Sequence, residues 1–214
     1  IIDTAAPTLT IQPVGDISDL TPELRGTSNE IGGTVTLIVT DANNVIRTLT
    51  TEVDSDGHWF IEVPNTLAQG DFSVQASIID AAGNTSTASS SGIVDTVIPV
   101  ISVDLLGLGN DNTPVISGVS TEPEGTLIVI MITDSNGDDH PITATVDANG
   151  EWQVISPELP DGDYSVQASI TDAAGNTGGA TQLGIIDTLA PTLTLETVGA
   201  TNNSTPIISG TSNA

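Results

Sequence analysis

The chain has 214 residues and a formal charge of −26, from 28 Asp and Glu against two Arg and no Lys. That balance excludes a nucleic-acid partner, which needs clustered cations for its phosphates, and argues against insertion into or docking on an anionic membrane. Cysteine is absent and only 2% of residues are aromatic, so there is no disulfide or thiolate metal site, and any core is built from Val, Ile, Leu and Ala.

The first element in chain order is a phrase, IIDTAAP at 1–7, which returns as IVDTVIP at 93–99 and IIDTLAP at 185–191. Asp3, Asp95 and Asp187 recur at a spacing of 92 residues, as do Pro22, Pro114 and Pro206, Gly26, Gly118 and Gly210, and Glu30 and Glu122. A fixed period of this kind marks a tandem array. It predicts units at 1–94 and 95–186, with 187–214 supplying only the first two strands of a third. The chain opens at Ile1 and stops inside a motif, so it reads as a piece of a longer protein.

Within a unit, TVTLIVT (34–40), HWFIEV (58–63) and DFSVQASI (71–78) alternate apolar and polar residues, which predicts strands with one buried face. DANN, DSDG, AQGD and DAAGN lie between them as turns, and no segment carries a helical period. About seven strands in a unit of this length predict an all-β fold of tandem immunoglobulin-like sandwiches stacked end to end. Trp59 and Trp152 fall on the core side. Phe60 falls on the polar side.

Strands that reverse at each hairpin carry alternate turns to opposite ends of a sandwich. Asp3, Glu30 and Asp80 are thereby expected at one pole of the first unit, and Asp95, Glu122 and Asp172 at the equivalent pole of the second. Carboxylates gathered there repel by up to ~4 kcal/mol per close pair at an effective dielectric of ~20. Two Arg cannot neutralise them, whereas calcium takes six to eight oxygen ligands. The competing reading is that such Asp residues only close Asx-turns, and it is preferred for DSDG and DANG. DSNGDD (134–139) opens like a calcium loop at Asp134, Asn136 and Asp138, but lacks that loop's later Gly and Glu. His58 and His140 lie at non-equivalent places, opposite Glu151 and Arg47, without a ligand pattern.

Taken in order, DTxAPTLTL, TPxxxGTSNE, DxDGxW and LxxGDFSVQASxxDAAGN resemble the bacterial Ig-like repeats of giant RTX-type, type I-secreted adhesins, including biofilm and ice-binding adhesins. The resemblance covers the whole chain. It implies an extender at the bacterial cell surface, outside the cell, which holds an adhesive tip not present in these residues. Its partners would be neighbouring repeats of the same chain. It also implies calcium at the linker residues Asp3, Asp95 and Asp187, and at Glu30, Glu122, Asp80 and Asp172 in the loops. The sequence departs from the pattern at Ile98 and Val100, and at Pro123-Glu124, where Glu124 is a further candidate ligand.

Catalysis is not expected, because the notable residues recur in every unit as structural devices do. The alternative function is a ligand- or glycan-binding module, which calls for a patch specific to one unit. Bland polar faces on both repeats favour the spacer, with Phe60 the one hint against it.

Overall fold

The computed structural model describes residues 2–213, so Ile1 of the opening phrase and Ala214 of the tail lie outside it. The first repeat contains β1 (Leu9–Ile11), β2 (Gly15–Ile17), β3 (Glu23–Ser28), β4 (Thr34–Thr40), β5 (Ile46–Glu52), β6 (His58–Glu62), β7 (Gly70–Ile79) and β8 (Thr85–Val94). The second contains β9 (Gly107–Gly109), β10 (Val115–Val119), β11 (Leu127–Thr133), β12 (Asp139–Thr145), β13 (Glu151–Ile155), β14 (Gly162–Thr171) and β15 (Thr177–Ile186). The tail adds β16 (Leu193–Leu195) and β17 (Gly210–Ser212), and the described residues include no helix.

Each repeat is a sandwich of a small and a large sheet. In the first, β1-β3-β6 face β2-β8-β7-β4-β5. The opening segment changes sheets between β1 and β2, so β2 runs parallel to β8 while the other pairs are antiparallel. The second repeat repeats the large sheet as β9-β15-β14-β11-β12 and pairs β10 with β13. An isolated Ile101–Ser120 bridge stands where β1 stands in the first.

The alternation read from sequence is the burial observed. Val35, Leu37 and Val39 are buried along β4, and Phe72, Val74, Ala76 and Ile78 along β7. Each repeat has its own closed core, one around Trp59 and one around Trp152. Full burial of a Val, Leu, Ile or Phe in these cores contributes roughly 1.5–3 kcal/mol. The repeated glycine has a direct cause. A Cβ at Gly26 would stand 2.0 Å from the Thr10 carbonyl and 2.5 Å from the Trp59 ring. At Gly118 the corresponding distances are 1.9 Å to the Ser102 carbonyl and 2.9 Å to Trp152. Glycine is what lets the first strand and the indole close on the same backbone.

The expectation of bland polar faces fails for both repeats: the first exposes Ile46, Phe60 and Ile79, and the second exposes Leu108, Leu127 and Leu183. Outward positions of β4 carry Thr34, Thr36 and Ile38, whereas the same positions of β11 carry Leu127, Val129 and Met131. The tail, in contrast, is exposed throughout, with β16 and β17 paired only to each other. Two three-residue strands bury no core of their own, in keeping with the marginal stability of isolated hairpins.

A candidate acidic joint between the repeats

The linker phrase is built the same way three times. The Asp3 carboxylate accepts the Ala5 amide at 3.0 Å, Asp95 accepts Val97 at 2.9 Å, and Asp187 accepts Leu189 at 3.1 Å. One role of the repeated aspartate is therefore to close an Asx-turn that bends the chain out of one sandwich and into the next. A second set of bonds ties the following residues to the segment just after β3, β10 or β17. Thr8 donates to Asn29 at 2.7 Å, Val100 to Thr121 at 3.0 Å, and Thr192 to Asn213 at 2.6 Å.

Asp95 is held by both sandwiches. On the first-repeat side its amide donates to the Ile17 carbonyl at 2.8 Å, and its carboxylate accepts the Gln69 side-chain amide at 3.0 Å. The Gln69 oxygen accepts from the Thr96 hydroxyl at 2.7 Å. On the second-repeat side the Asp95 carbonyl accepts Asn176 Nδ2 at 2.8 Å, and the same nitrogen donates to Asp172 Oδ2 at 2.8 Å. The first repeat copies this less tightly, with Asn84 Nδ2 2.8 Å from Asp80 and 3.3 Å from the Asp3 carbonyl.

Asp172 and Asp80 are turn anchors too. Each accepts the amide of the Asn four residues on at 2.8 Å, and the side-chain bond from that Asn, with the backbone amides, holds each carboxyl below its ordinary range. Glu122 behaves oppositely. Partial burial, then the charges of Asp172 and Asp95, push its carboxyl up. The trio expected at this pole therefore does share it. Glu30 occupies the matching turn of the first repeat, its amide bonded to Ser28 Oγ at 3.2 Å. The donor set around Asp95 is all hard oxygen, and the chain's two arginines, Arg25 and Arg47, are engaged by Glu23 and Asp41. Among the described residues, however, no three His, Asp or Glu side chains converge closely enough to share an ion. A cation held by Asp95, Glu122 and Asp172 together would require their side chains to swing inward.

The weaker candidates divide. Glu124 sits exposed on the Pro123–Gly125 turn beside the joint. Asp134 is buried at the opposite pole, where it accepts the amides of Asn136 at 2.9 Å and Asp138 at 3.0 Å, and its other oxygen meets His140 Nε2 at 2.9 Å. That is an Asx-turn pinned by a side chain. The first repeat has the same device, with Arg47 donating to the buried Asp41 at 2.8 Å. DSDG and DANG are Asx-turns as expected, anchored by Asp54 and Asp147.

Three side chains of the joint and its copy were not singled out from sequence: Asn84, Asn176 and Gln69. Asn84 and Asn176 lie in the repeated DAAGN phrase, so their signal was present and was credited to the turn alone. Gln69 gave none, because its counterpart in the second repeat is Asp161, which binds the Thr188 hydroxyl at 2.8 Å. Phe60 is 62% exposed and lies opposite Arg25 across the β3–β6 pair.

A family profile described as a bacterial Ig-like domain matches residues 15–96 and 106–188. No curated protein sequence matches the chain. Among solved structures, a tetra-tandem repeat from the extending region of a large adhesion protein is 29% identical, with 89% of this chain and 51% of that one covered and a TM-score of 0.44. A Ca2+-stabilized adhesin with which an Antarctic bacterium reaches out and binds ice is 26% identical, with 91% and 52% covered and a TM-score of 0.44. A 1.5-MDa bacterial ice-binding adhesin is 19% identical, with 91% and 70% covered and a TM-score of 0.43. The chain spans about half the length of the first two.

Proposed function

The chain belongs to the bacterial Ig-like domain family, and from that premise we propose that it is a calcium-stiffened extender segment of a bacterial surface adhesin, acting outside the cell. The observation that carries this reading is the double attachment of Asp95. One residue is bonded to Ile17 and Gln69 of the first sandwich and to Asn176 of the second. Such a joint leaves no slack linker, as a spacer requires and a freely jointed chain does not.

Calcium fits the chemistry of the joint. Asp95, Glu122 and Asp172 would hold it, with Glu124 on the adjoining turn as a further candidate, and Asp187 would begin the next such site. Asp3, Glu30 and Asp80 are the matching set of the first repeat. The ion would supply the positive charge that the protein does not, offsetting the repulsion already felt at Glu122. Extracellular calcium modules bind at about 10⁻⁴–10⁻³ M, which suits the outside of a cell. The role is non-catalytic, and its partners are neighbouring repeats.

The test is calorimetric calcium titration of the 214-residue chain with matched X-ray scattering, for the parent and for Asp95→Ala and Asp172→Ala. The parent is expected to bind calcium and to lengthen and stiffen on doing so, and both variants to lose binding and stiffness. Equal binding and equal scattering profiles in all three would refute the assignment. A glycan-binding module is the second reading, favoured only by exposed Phe60 beside Arg25; binding on a glycan array that Phe60→Ala abolishes would establish it.

A further inference from the structure

We propose that the outer face of the large sheet of the second repeat binds the same face of a second copy of the chain, with the two sets of strands antiparallel. The first repeat is an internal control at four positions, although it keeps Ile38, Ile79 and Ile93 on the same face. The same backbone carries Thr34, Thr36, Asp16 and Ser91 at outward positions where the second carries Leu127, Val129, Leu108 and Leu183. The fold therefore does not need apolar side chains there, and Leu183 and Leu108 are 70% and 72% exposed. Leu108 and Leu183 line a cleft of about 560 Å³ whose counterpart in the first repeat has Asp16 and Ser91 at those places, while Ile185 and Asp163 of the second repeat are matched by Ile93 and Asp71 of the first.

Area, shape and charge select the occupant. Five strands about 4.8 Å apart and roughly 25 Å long present about 600 Å² per copy, so two copies bury roughly 1,200 Å², the lower bound of a stable interface. Bulk is diagonal on this face. Leu127 and Val129 stand at the joint end of β11, and Leu183 and Ile185 at the far end of β15, whose joint end carries Gly179 and Thr177. Antiparallel superposition lays each bulky end on the partner's small one: Leu127 meets Thr133, and Leu183 meets Thr177. The charges on the face, Asp139 and Asp163, both lie at the far end; Asp139 would face the partner's Thr145, and Asp163 would fall just beyond the partner's Thr171, at the uncharged Ala173. A parallel pair would set carboxylate against carboxylate. Chains rooted in one surface run parallel, so an antiparallel pair joins chains from facing surfaces.

Net charge opposes association over distance, so it should strengthen with salt as the screening length falls from about 30 Å at 0.01 M to about 3 Å at 1 M. Sedimentation equilibrium of the whole chain at those two salt levels tests this. The expected result is a concentration-dependent dimer at high salt that weakens at low salt. The triple change Leu127→Thr, Val129→Thr, Leu183→Ser, which installs the first repeat's own residues, is expected to weaken it at least tenfold with folding retained by circular dichroism. In mixed single-cysteine chains, Asp139→Cys with Thr145→Cys should be joined by a short thiol crosslinker, and Asp139→Cys alone should not. A monomer at every concentration and salt, or a dimer indifferent to the triple change, would overturn the proposal. So would a monomer whose face still binds an apolar dye that the triple change abolishes, since that assigns the face to a different partner.

Discussion

Asn176 donates its side-chain amide to the backbone carbonyl of Asp95 at 2.8 Å, joining the last turn of the second repeat to the linker that opens it, 81 residues earlier. The same nitrogen reaches Asp172, so one side chain latches turn and linker together. Asn176→Ala releases both bonds. Expected consequences are a melting transition of the second repeat lowered by a few degrees and faster amide exchange at residues 95–97. Asn84→Ala should cost the first repeat less, because its contact to Asp3 is longer. Unchanged exchange at 95–97 in Asn176→Ala would show that the latch does not hold the linker.

Gly26→Ala and Gly118→Ala test the repeated glycine. Each new Cβ enters space held by a strand carbonyl and an indole, and such overpacking costs about 1–3 kcal/mol. For a domain of this size that is a shift of ~4–8 °C per kcal/mol. The two cores are separate, so each variant should lower one of two calorimetric transitions and leave the other in place. Loss of both together would mean that the repeats melt as one unit.

The fold was legible because it is written twice. Period-two alternation placed Val35, Leu37 and Val39 inside, and the repeat showed which marks belong to the scaffold. The shared pole was legible for a topological reason: hairpins alternate ends, so Asp95, Glu122 and Asp172 fall at the same end of the sandwich. What sequence could not supply was how each carboxylate is used. Asp95 and Asp172 accept backbone amides as well as standing near Glu122, so the Asx-turn and the acidic cluster are the same atoms seen twice. The apolar face of the second repeat was missed for the converse reason. Attention to what recurs hides what differs, and Leu127, Val129 and Leu183 are departures from the repeat.

Isolated 187–214 should not fold. Its strands pair only with each other and every described side chain is exposed, so the segment buries no core to offset its chain entropy. A peptide of these residues is expected to show a disordered circular dichroism spectrum without a cooperative melt. Extending the chain through a complete third repeat should bring protection to residues 193–195 and 210–212.

Acid should act on the turn anchors. Asp41, Asp80, Asp134 and Asp172 all hold carboxyls below their ordinary value: Asp41 through Arg47, Asp134 through His140, and Asp80 and Asp172 through Asn84 and Asn176. A depressed carboxyl binds fewer protons folded than unfolded. Its stabilisation is complete above the unfolded value and is lost as pH falls through the folded one. Both repeats are therefore expected to lose stability below about pH 4. Asp172→Asn should flatten that loss in the second repeat. A melting temperature constant from neutral pH down to strong acid would contradict this use of the aspartates.

Glu122 carries the opposite sign, and this separates the joint from the turns. Burial and the neighbouring Asp172 and Asp95 raise its carboxyl, so the folded state keeps the proton to a higher pH than the unfolded state does. The unfavourable contribution is absent below the ordinary glutamate range. It grows as pH rises from that range through the raised value, and it is full at neutral pH. Glu122→Gln removes one of the three charges while keeping the shape of the side chain. With chelator present, the variant should melt above the parent at neutral pH, and the two curves should meet in acid. Calcium should reverse the order, because the parent has a third carboxylate to give the ion and the variant does not. Thermal melts across pH, repeated with calcium, read both effects. A Glu122→Gln chain no more stable than the parent at neutral pH in chelator would mean that the three carboxylates do not strain the joint, and calcium would then have no repulsion there to relieve.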